Sequence, residues 1–165
     1  MGKAIFPASF NPIHNGHIDI ARRATTIFDT VIVAVYDKPQ KKLLFSPEKR
    51  FELAQDALAD FTGIEVTVYS GLTVDFAQEV GAIAIIRGLR VFSDFEYEFR
   101  MALANKRLNP TIEYVCLMAS EQHMHIASST VVEIASLGGD VSTMVPPNVN
   151  QALVAHFNGL GDDGG

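Results

Sequence analysis

Two histidines, His14 and His17, stand three residues apart at the end of the stretch Pro7-Ala8-Ser9-Phe10-Asn11-Pro12-Ile13-His14-Asn15-Gly16-His17. Gly16 lets the backbone approach a ligand closely. A helix that begins here would present free N–H groups and the positive end of its dipole, a ready phosphate site. His17 would lie in the first turn with its ring toward that phosphate, and Ser9 would add a hydroxyl donor. Two other readings fit the same residues: exposed side chains at a helix start, or a His-x-x-His metal pair. A metal would need further ligands, for which His123 and His125 are the obvious candidates, and no Cys or carboxylate completes a standard set. The Gly-x-Gly-x-x-Gly dinucleotide fingerprint is absent from this stretch.

A second constellation is Ile86-Arg87-Gly88-Leu89-Arg90, two cations after an apolar run. Buried cations need partners. Asp94, Glu96 or Glu98 could pair with them, or a ligand phosphate could take the guanidinium forks bidentately. Their place at a strand end favours the ligand. A third segment, Ser120-Glu121-Gln122-His123-Met124-His125-Ile126-Ala127-Ser128-Ser129-Thr130, feeds hydroxyls into a helix start and makes a second anion nest. Lys38, Lys41 and Lys42 form a basic cluster that also reads as a solvated loop.

The charge pattern narrows the ligand. Lys and Arg total 13 against 19 Asp and Glu, a net charge of −6, which argues against a nucleic-acid-coating role. No Lys or Arg occurs between Arg50 and Arg87 or beyond Arg107. An acidic chain with isolated cations suits a small anionic ligand. The single cysteine, Cys116, excludes an internal disulfide framework and a cysteine zinc cage, and it falls in an apolar run that predicts a core position. No apolar run reaches the ~18 residues of a membrane span, and no signal peptide is expected ahead of Pro7, so the expected compartment is the reducing cytoplasm.

The elements that must position these residues follow from periodicity. Strands are predicted at 3–6 (ending before Pro7), 31–36, 64–69, 82–86 (ended by Arg87-Gly88) and 114–118. Helices are predicted from the His motif through Phe28, from Ser46-Pro47 (N-cap and first turn) through Leu58, over 74–80, over 93–108 with Phe95, Phe99, Ala102 and Leu103 inward, from a Thr130/Glu133 capping box to Leu137, and over 148–157. Alternating strands and helices make a parallel sheet covered on both faces, as one domain over 1–158 with a Gly-rich tail at 159–165. Such sheets bind ligands at the carboxyl ends of their strands, where all three constellations fall.

His14-Asn15-Gly16-His17 resembles the (His/Thr)-x-Gly-His signature of the nucleotidyltransferase superfamily, and Ser128-Ser129-Thr130 resembles its second nucleotide-binding signature. Phe10-Asn11-Pro12, Gln40-Lys41-Lys42, Ile86-Arg87-Gly88-Leu89-Arg90 and Asp94-Phe95-Glu96-Tyr97-Glu98 are similar, in order, to landmarks of the phosphopantetheine adenylyltransferase family. The resemblance implies a Rossmann-like, doubly wound, five-stranded parallel sheet. It implies a reaction of ATP with 4′-phosphopantetheine to give dephospho-coenzyme A and pyrophosphate, with Mg²⁺ carried by the ATP phosphates, in a homohexamer. His17 would stabilise the transition state, with Lys41 and Arg90 as further charge stabilisers. ATP would be held by Ser9, Phe10, His17, Gly88, Leu89, Arg90, Glu98, His123, Met124, His125, Ile126, Ala127, Ser128 and Ser129. The acceptor would be held by Ser9, Lys41, Thr73 and Arg87. The chain departs from the family pattern at Ala8, Ser9, Asn11, Thr73, His123 and Ala127.

No protein nucleophile or strong general base is required if the acceptor phosphate attacks the α-phosphorus in line, since such transfers rely on positioning and charge stabilisation. Two alternatives share these residues: a sister enzyme using another phosphorylated acceptor such as nicotinamide mononucleotide, and a non-catalytic nucleotide-sensing module.

Overall fold

In the computed structural model, residues 1–39 and 41–159 are described. Gln40 of the basic landmark and residues 160–165 of the expected tail lie outside them. The elements run β1 (Lys3–Ala8), α1 (Asn15–Ala24), β2 (Thr30–Tyr36), α2 (Pro47–Leu58), β3 (Ile64–Tyr69), α3 (Thr73–Glu79), β4 (Ala82–Leu89), α4 (Phe92–Leu108), β5 (Glu113–Met118), α5 (Ser128–Ser136) and α6 (Pro147–Phe157). The five strands form one parallel sheet in the order β3-β2-β1-β4-β5. Among the described residues no helix is long and apolar enough to cross a membrane.

The β-branched runs are buried on both faces, as continuous apolar strands must be. Ala4, Phe6, Val31, Val33, Val35, Ala84 and Ile86 face one core, shared with apolar residues of α1, α2, α5 and α6. Ile5, Ile32, Ala34 and Ile85 face the other, with Val74 and Ala77 of α3.

The chain reverses direction across the sheet at β1, which lies between β2 and β4. The β1–β2 ladder runs to Ala8↔Val35. The β1–β4 ladder stops at Ile5↔Ile85. A crevice therefore opens between the carboxyl-terminal halves of β1 and β4, the topological switch point of a doubly wound sheet. This also corrects the expected end of the first strand. Pro7 stays in β1, paired with Ala34, because its nitrogen faces the side where β4 has already parted and no ladder donor is needed.

Four further expectations change. β4 continues through Leu89, because Arg87, Gly88 and Leu89 pair with Cys116, Leu117 and Met118 of β5. α5 starts two residues before Thr130, with Ala127 as its N-cap and no side-chain cap, so the Thr130/Glu133 capping box does not form. Cys116 is exposed rather than core, because it lies on the edge strand β5. On α4, Phe95, Phe99 and Leu103 face outward, 50%, 54% and 58% exposed, while Ala102 is partly covered. The inward line is instead Asp94, Glu98 and Ala102, at i, i+4 and i+8, because Arg87 on β4 and Arg90 just after it draw the two carboxylates toward the sheet. The apolar line, one position round, stacks Phe92, Phe95 and Phe99 on the outer surface.

Candidate active site

The crevice is built by the turn between β1 and α1. Phe10 takes a left-handed backbone conformation, φ 49°, uncommon for a residue with a Cβ. Its ring is buried against Phe6 and His17, with centroids 5.4 and 4.8 Å away. Such strain persists where the surroundings over-determine it, commonly at ligand sites.

His14 and His17 cap α1 reciprocally. Nδ1 of His14 accepts from the backbone N–H groups of Gly16 and His17, at 3.0 and 3.3 Å. Nδ1 of His17 accepts from the His14 N–H at 3.1 Å. Each Nδ1 is therefore unprotonated, and the neutral rings carry their proton on Nε2. The rings stack 3.7 Å apart. A Cβ on Gly16 would stand 2.9 Å from His14 Cε1, so glycine is what allows the pair to form.

Burial keeps both rings neutral. It pushes the His14 pKa down to about 3, helped by Arg90 and His123. Burial likewise holds His17 well below the usual histidine range, with His14, Arg87 and Arg90 adding to the effect. The unfolded chain takes up protons on both rings below about pH 6.5, whereas the folded state refuses them. Stability is thus fully present above pH 6.5 and declines as the pH falls below it. Asp19 and Asp94 have lowered pKa values and contribute a similar loss only near and below their ordinary carboxylate range. Urea denaturation between pH 7.5 and 5 isolates the histidines. Wild type should lose stability over that interval, and His14→Thr, which keeps a capping oxygen, should lose measurably less. Equal losses would contradict the burial argument.

Facing the histidines across the crevice are Arg87 of β4 and Arg90, the residue after its end. Nε of Arg87 donates to Glu98 at 3.0 Å, and Nη1 reaches the Pro7 carbonyl left free by the early end of the β1–β4 ladder. Glu98, 5% exposed, also accepts from the Tyr114 hydroxyl. Arg90 forks onto Asp94 at 3.2 and 3.3 Å, and its Nη1 donates to the Ile126 carbonyl at 3.0 Å. Both arginines therefore have carboxylate partners and still wall a cavity of about 400 Å³. Ser128 closes the other side, its hydroxyl bonded to the Pro12 carbonyl at 2.9 Å.

Two cavities meet at His17, Ala8, Ser128 and Ser129. The first also holds Arg87, Gly88, Arg90, Glu98, His123 and Ala127 of the expected residues. The second, about 690 Å³, holds Ser9, Phe10 and Lys41. Each is of the size that takes a small ligand. Thr73, Leu89, Met124, His125 and Ile126 line neither. Thr73 hydrogen-bonds Tyr69 through its hydroxyl at 3.0 Å. Leu89 accepts the Ala119 N–H. Met124 and His125 are exposed, and the Ile126 side chain is in the core while its carbonyl holds Arg90.

Comparison with known proteins bears on this arrangement. A cytidylyltransferase-like family model matches residues 5–134. A phosphopantetheine adenylyltransferase of Chloroflexus aurantiacus is 54% identical over 154 residues, covering 93% of this chain and 96% of that protein. The chain belongs to the phosphopantetheine adenylyltransferase family. Another phosphopantetheine adenylyltransferase, from Caldanaerobacter subterraneus subsp. tengcongensis, is 48% identical over 157 residues, covering 95% of this chain and 98% of its own. Among solved structures, a bifunctional NMN adenylyltransferase/ADP ribose pyrophosphatase from Francisella tularensis matches 95% of this chain and 50% of that one, with a TM-score of 0.73 at 15% identity. That likeness shows a shared fold alone.

Two parts of this family member's site were not foreseen. His14 is a buried helix cap, not a surface residue. Arg50 is buried beneath the β1–α1 turn, 1% exposed. Its spacing to Leu53, Ala54 and Leu58 already places it on the apolar face of α2.

Proposed function

We propose that this chain transfers the adenylyl group of ATP to 4′-phosphopantetheine, giving dephospho-coenzyme A and pyrophosphate. The observation that carries the reading is the crevice itself: a neutral His17 at a helix N-terminus, faced by Arg87 and Arg90, in a chain about half identical to phosphopantetheine adenylyltransferases. On this reading ATP lies along Ser9, Phe10, His17, Gly88, Leu89, Arg90, Glu98 and the segment 123–129. The acceptor is held by Ser9, Lys41 and Arg87, with Thr73, which lines neither cavity, expected to reach it only beyond them. A neutral imidazole donates one hydrogen bond from Nε2 without needing to lose a proton, which suits a group that follows charge as it develops on the α-phosphate. Lys41 and Arg90 add positive charge. The acceptor phosphate is itself the nucleophile, so no residue need become covalently modified.

Mg²⁺ fits this site as a companion of the nucleotide. Among the described residues no group of three or more His, Cys, Asp or Glu side chains converges on one point, and Asp94 and Glu98 are engaged by arginines. Mg²⁺ prefers oxygen ligands and commonly takes them from substrate phosphates and water. It would supply charge neutralisation there, while the chain supplies orientation.

The outward Phe92–Phe95–Phe99 stack and exposed Leu103 are apolar enough to need cover. We assign that cover to further copies of this chain in a homohexamer, and sedimentation at a protomer's mass would contradict it. The ligands proposed are small molecules, with no nucleic acid or membrane partner, and the compartment is the cytoplasm. A coupled pyrophosphate assay tests the function. Release is expected with ATP plus 4′-phosphopantetheine and not with ATP plus nicotinamide mononucleotide. The reverse pattern would favour the sister reaction, and ATP binding without release under either acceptor would favour a sensor.

A further inference from the structure

Arg50 is buried without a carboxylate within ion-pairing distance among the described residues. A buried cation is costly unless its donors are met. All its partners are backbone carbonyls. Nη1 donates to the carbonyls of Ser9 and Tyr36, both at 2.7 Å. Nε donates to the Phe45 carbonyl at 3.2 Å, and Nη2 lies 3.4 Å from that of Asp37.

The positions of those carbonyls give the arrangement its meaning. The β1–β2 ladder ends at Ala8↔Val35, so Ser9 and Tyr36 are the next residues on each strand. There the strands part, and their carbonyls would be left without partners under the site. One guanidinium nitrogen replaces the missing ladder. The same group grips Phe45, whose N–H donates to Asn11 Oδ1 at 3.0 Å. Phe45 ends the segment that carries Lys41 along the second cavity. Arg50 thus joins three stretches of chain: the Ser9–Phe10 turn, the end of β2, and the anchor of the Lys41 segment.

We infer that Arg50 is a positioning residue for adenylyl transfer, holding Ser9 and Lys41 in register with His17 so that the acceptor phosphate meets the nucleotide at attack geometry. It touches neither cavity, and it acts through the peptides it holds. Arg90 is anchored separately, by Asp94 and Ile126, so of the proposed nucleotide contacts only those at Ser9 and Phe10 depend on Arg50. A rigid planar fork can serve several carbonyls at once, where an ammonium on a flexible stem holds them less closely. Small losses of alignment are expensive when proximity supplies the rate.

The inference rests on the proposed assignment of Ser9 and Lys41 to the acceptor. The test is steady-state kinetics of Arg50→Lys and Arg50→Gln, measured well below each variant's Tm, with ATP affinity taken from calorimetry. For at least one folded variant, kcat should fall about 10–100-fold and the acceptor KM should rise about fivefold or more, while ATP affinity, which keeps its Arg90 anchor, falls several-fold less than the acceptor's. Arg50→Lys should retain more kcat than Arg50→Gln. Wild-type constants in every folded variant despite a lowered Tm, equal losses toward both substrates, or failure of both variants to fold would overturn the positioning role in favour of a purely structural one. Lys41→Ala, run in parallel, tests the assignment beneath it: an unchanged acceptor KM there would remove the acceptor assignment, whereas unchanged constants in every folded Arg50 variant would remove the inference alone.

Discussion

His17→Ala is expected to lower kcat by about 10²–10³, with little change in ATP affinity. The size follows from how the ring is held. Its Nδ1 is committed to the His14 N–H, its pKa is depressed by burial and by the neighbouring cations, and its Nε2 proton is therefore fixed as a donor. Charge on the α-phosphate oxygens shifts as the pentavalent state forms. A donor placed for that geometry gains most in the transition state, and such gains raise kcat rather than binding. Removing the ring also removes one arm of the α1 cap, which costs about 1 kcal/mol of stability. His17→Asn retains a side-chain oxygen for that backbone bond and separates the two effects: it should recover stability and not rate. His14→Thr is the second control, since its ring caps the helix and the superfamily signature accommodates Thr at that position. A His17→Ala enzyme that turned over at close to the wild-type rate, or whose defect lay wholly in the KM for ATP, would make His17 a binding residue.

Arg87→Ala should raise the acceptor KM about 10–100-fold, the loss of one charge-assisted phosphate contact worth about 1.5–3 kcal/mol. ATP affinity should change several-fold less. The structure adds a second consequence. Arg87 is the cationic partner of Glu98, which is buried and shared with Tyr114. Removing one partner of a buried pair costs about 3–5 kcal/mol, because the remaining charge stays uncompensated. Arg87→Ala alone therefore mixes a binding defect with a folding defect. Combining it with Glu98→Gln should restore much of the stability without restoring acceptor affinity. Titration of both substrates against the double variant, compared with Glu98→Gln alone because Glu98 is itself placed along ATP, decides the matter. Lost ATP affinity with an intact acceptor KM would reverse the roles given to Arg87 and Arg90.

Much of this site was legible in the sequence because its residues sit at strand ends. Apolar runs at 31–36 and 82–86 mark strands buried on both faces, and the motifs that follow them fall on one sheet edge. The salt-bridge and ligand readings of Arg87 and Arg90 turn out not to compete: both arginines hold carboxylates and both line a cavity. The errors have a common cause, which is that periodicity reports a face without saying what the face meets. On α4 the apolar periodicity points to the Phe95–Phe99 line as the inner one, but Arg87 and Arg90 stand at the end of β4, so the carboxylates turn in and the phenylalanines turn out. Cys116 lies in an apolar run and is nonetheless exposed, because β5 is an edge strand. The role of Arg50 is not legible in sequence, because a cation on an apolar helix face has no meaning until the carbonyls it serves are known. Those carbonyls belong to Ser9, Tyr36, Asp37 and Phe45, which only the fold brings together.

The proposed reaction is a single in-line transfer between two bound phosphates, supported by a neutral histidine and fixed cations, without a covalent intermediate on the protein. It is tested most directly by the stereochemistry at the transferred phosphorus. ATP carrying one α-phosphorothioate diastereomer would be turned over with 4′-phosphopantetheine, and the configuration of the product diphosphate determined. One displacement inverts the centre, so inversion is the predicted result. Retention would mean two successive displacements and a nucleophile on the protein, which would contradict the account.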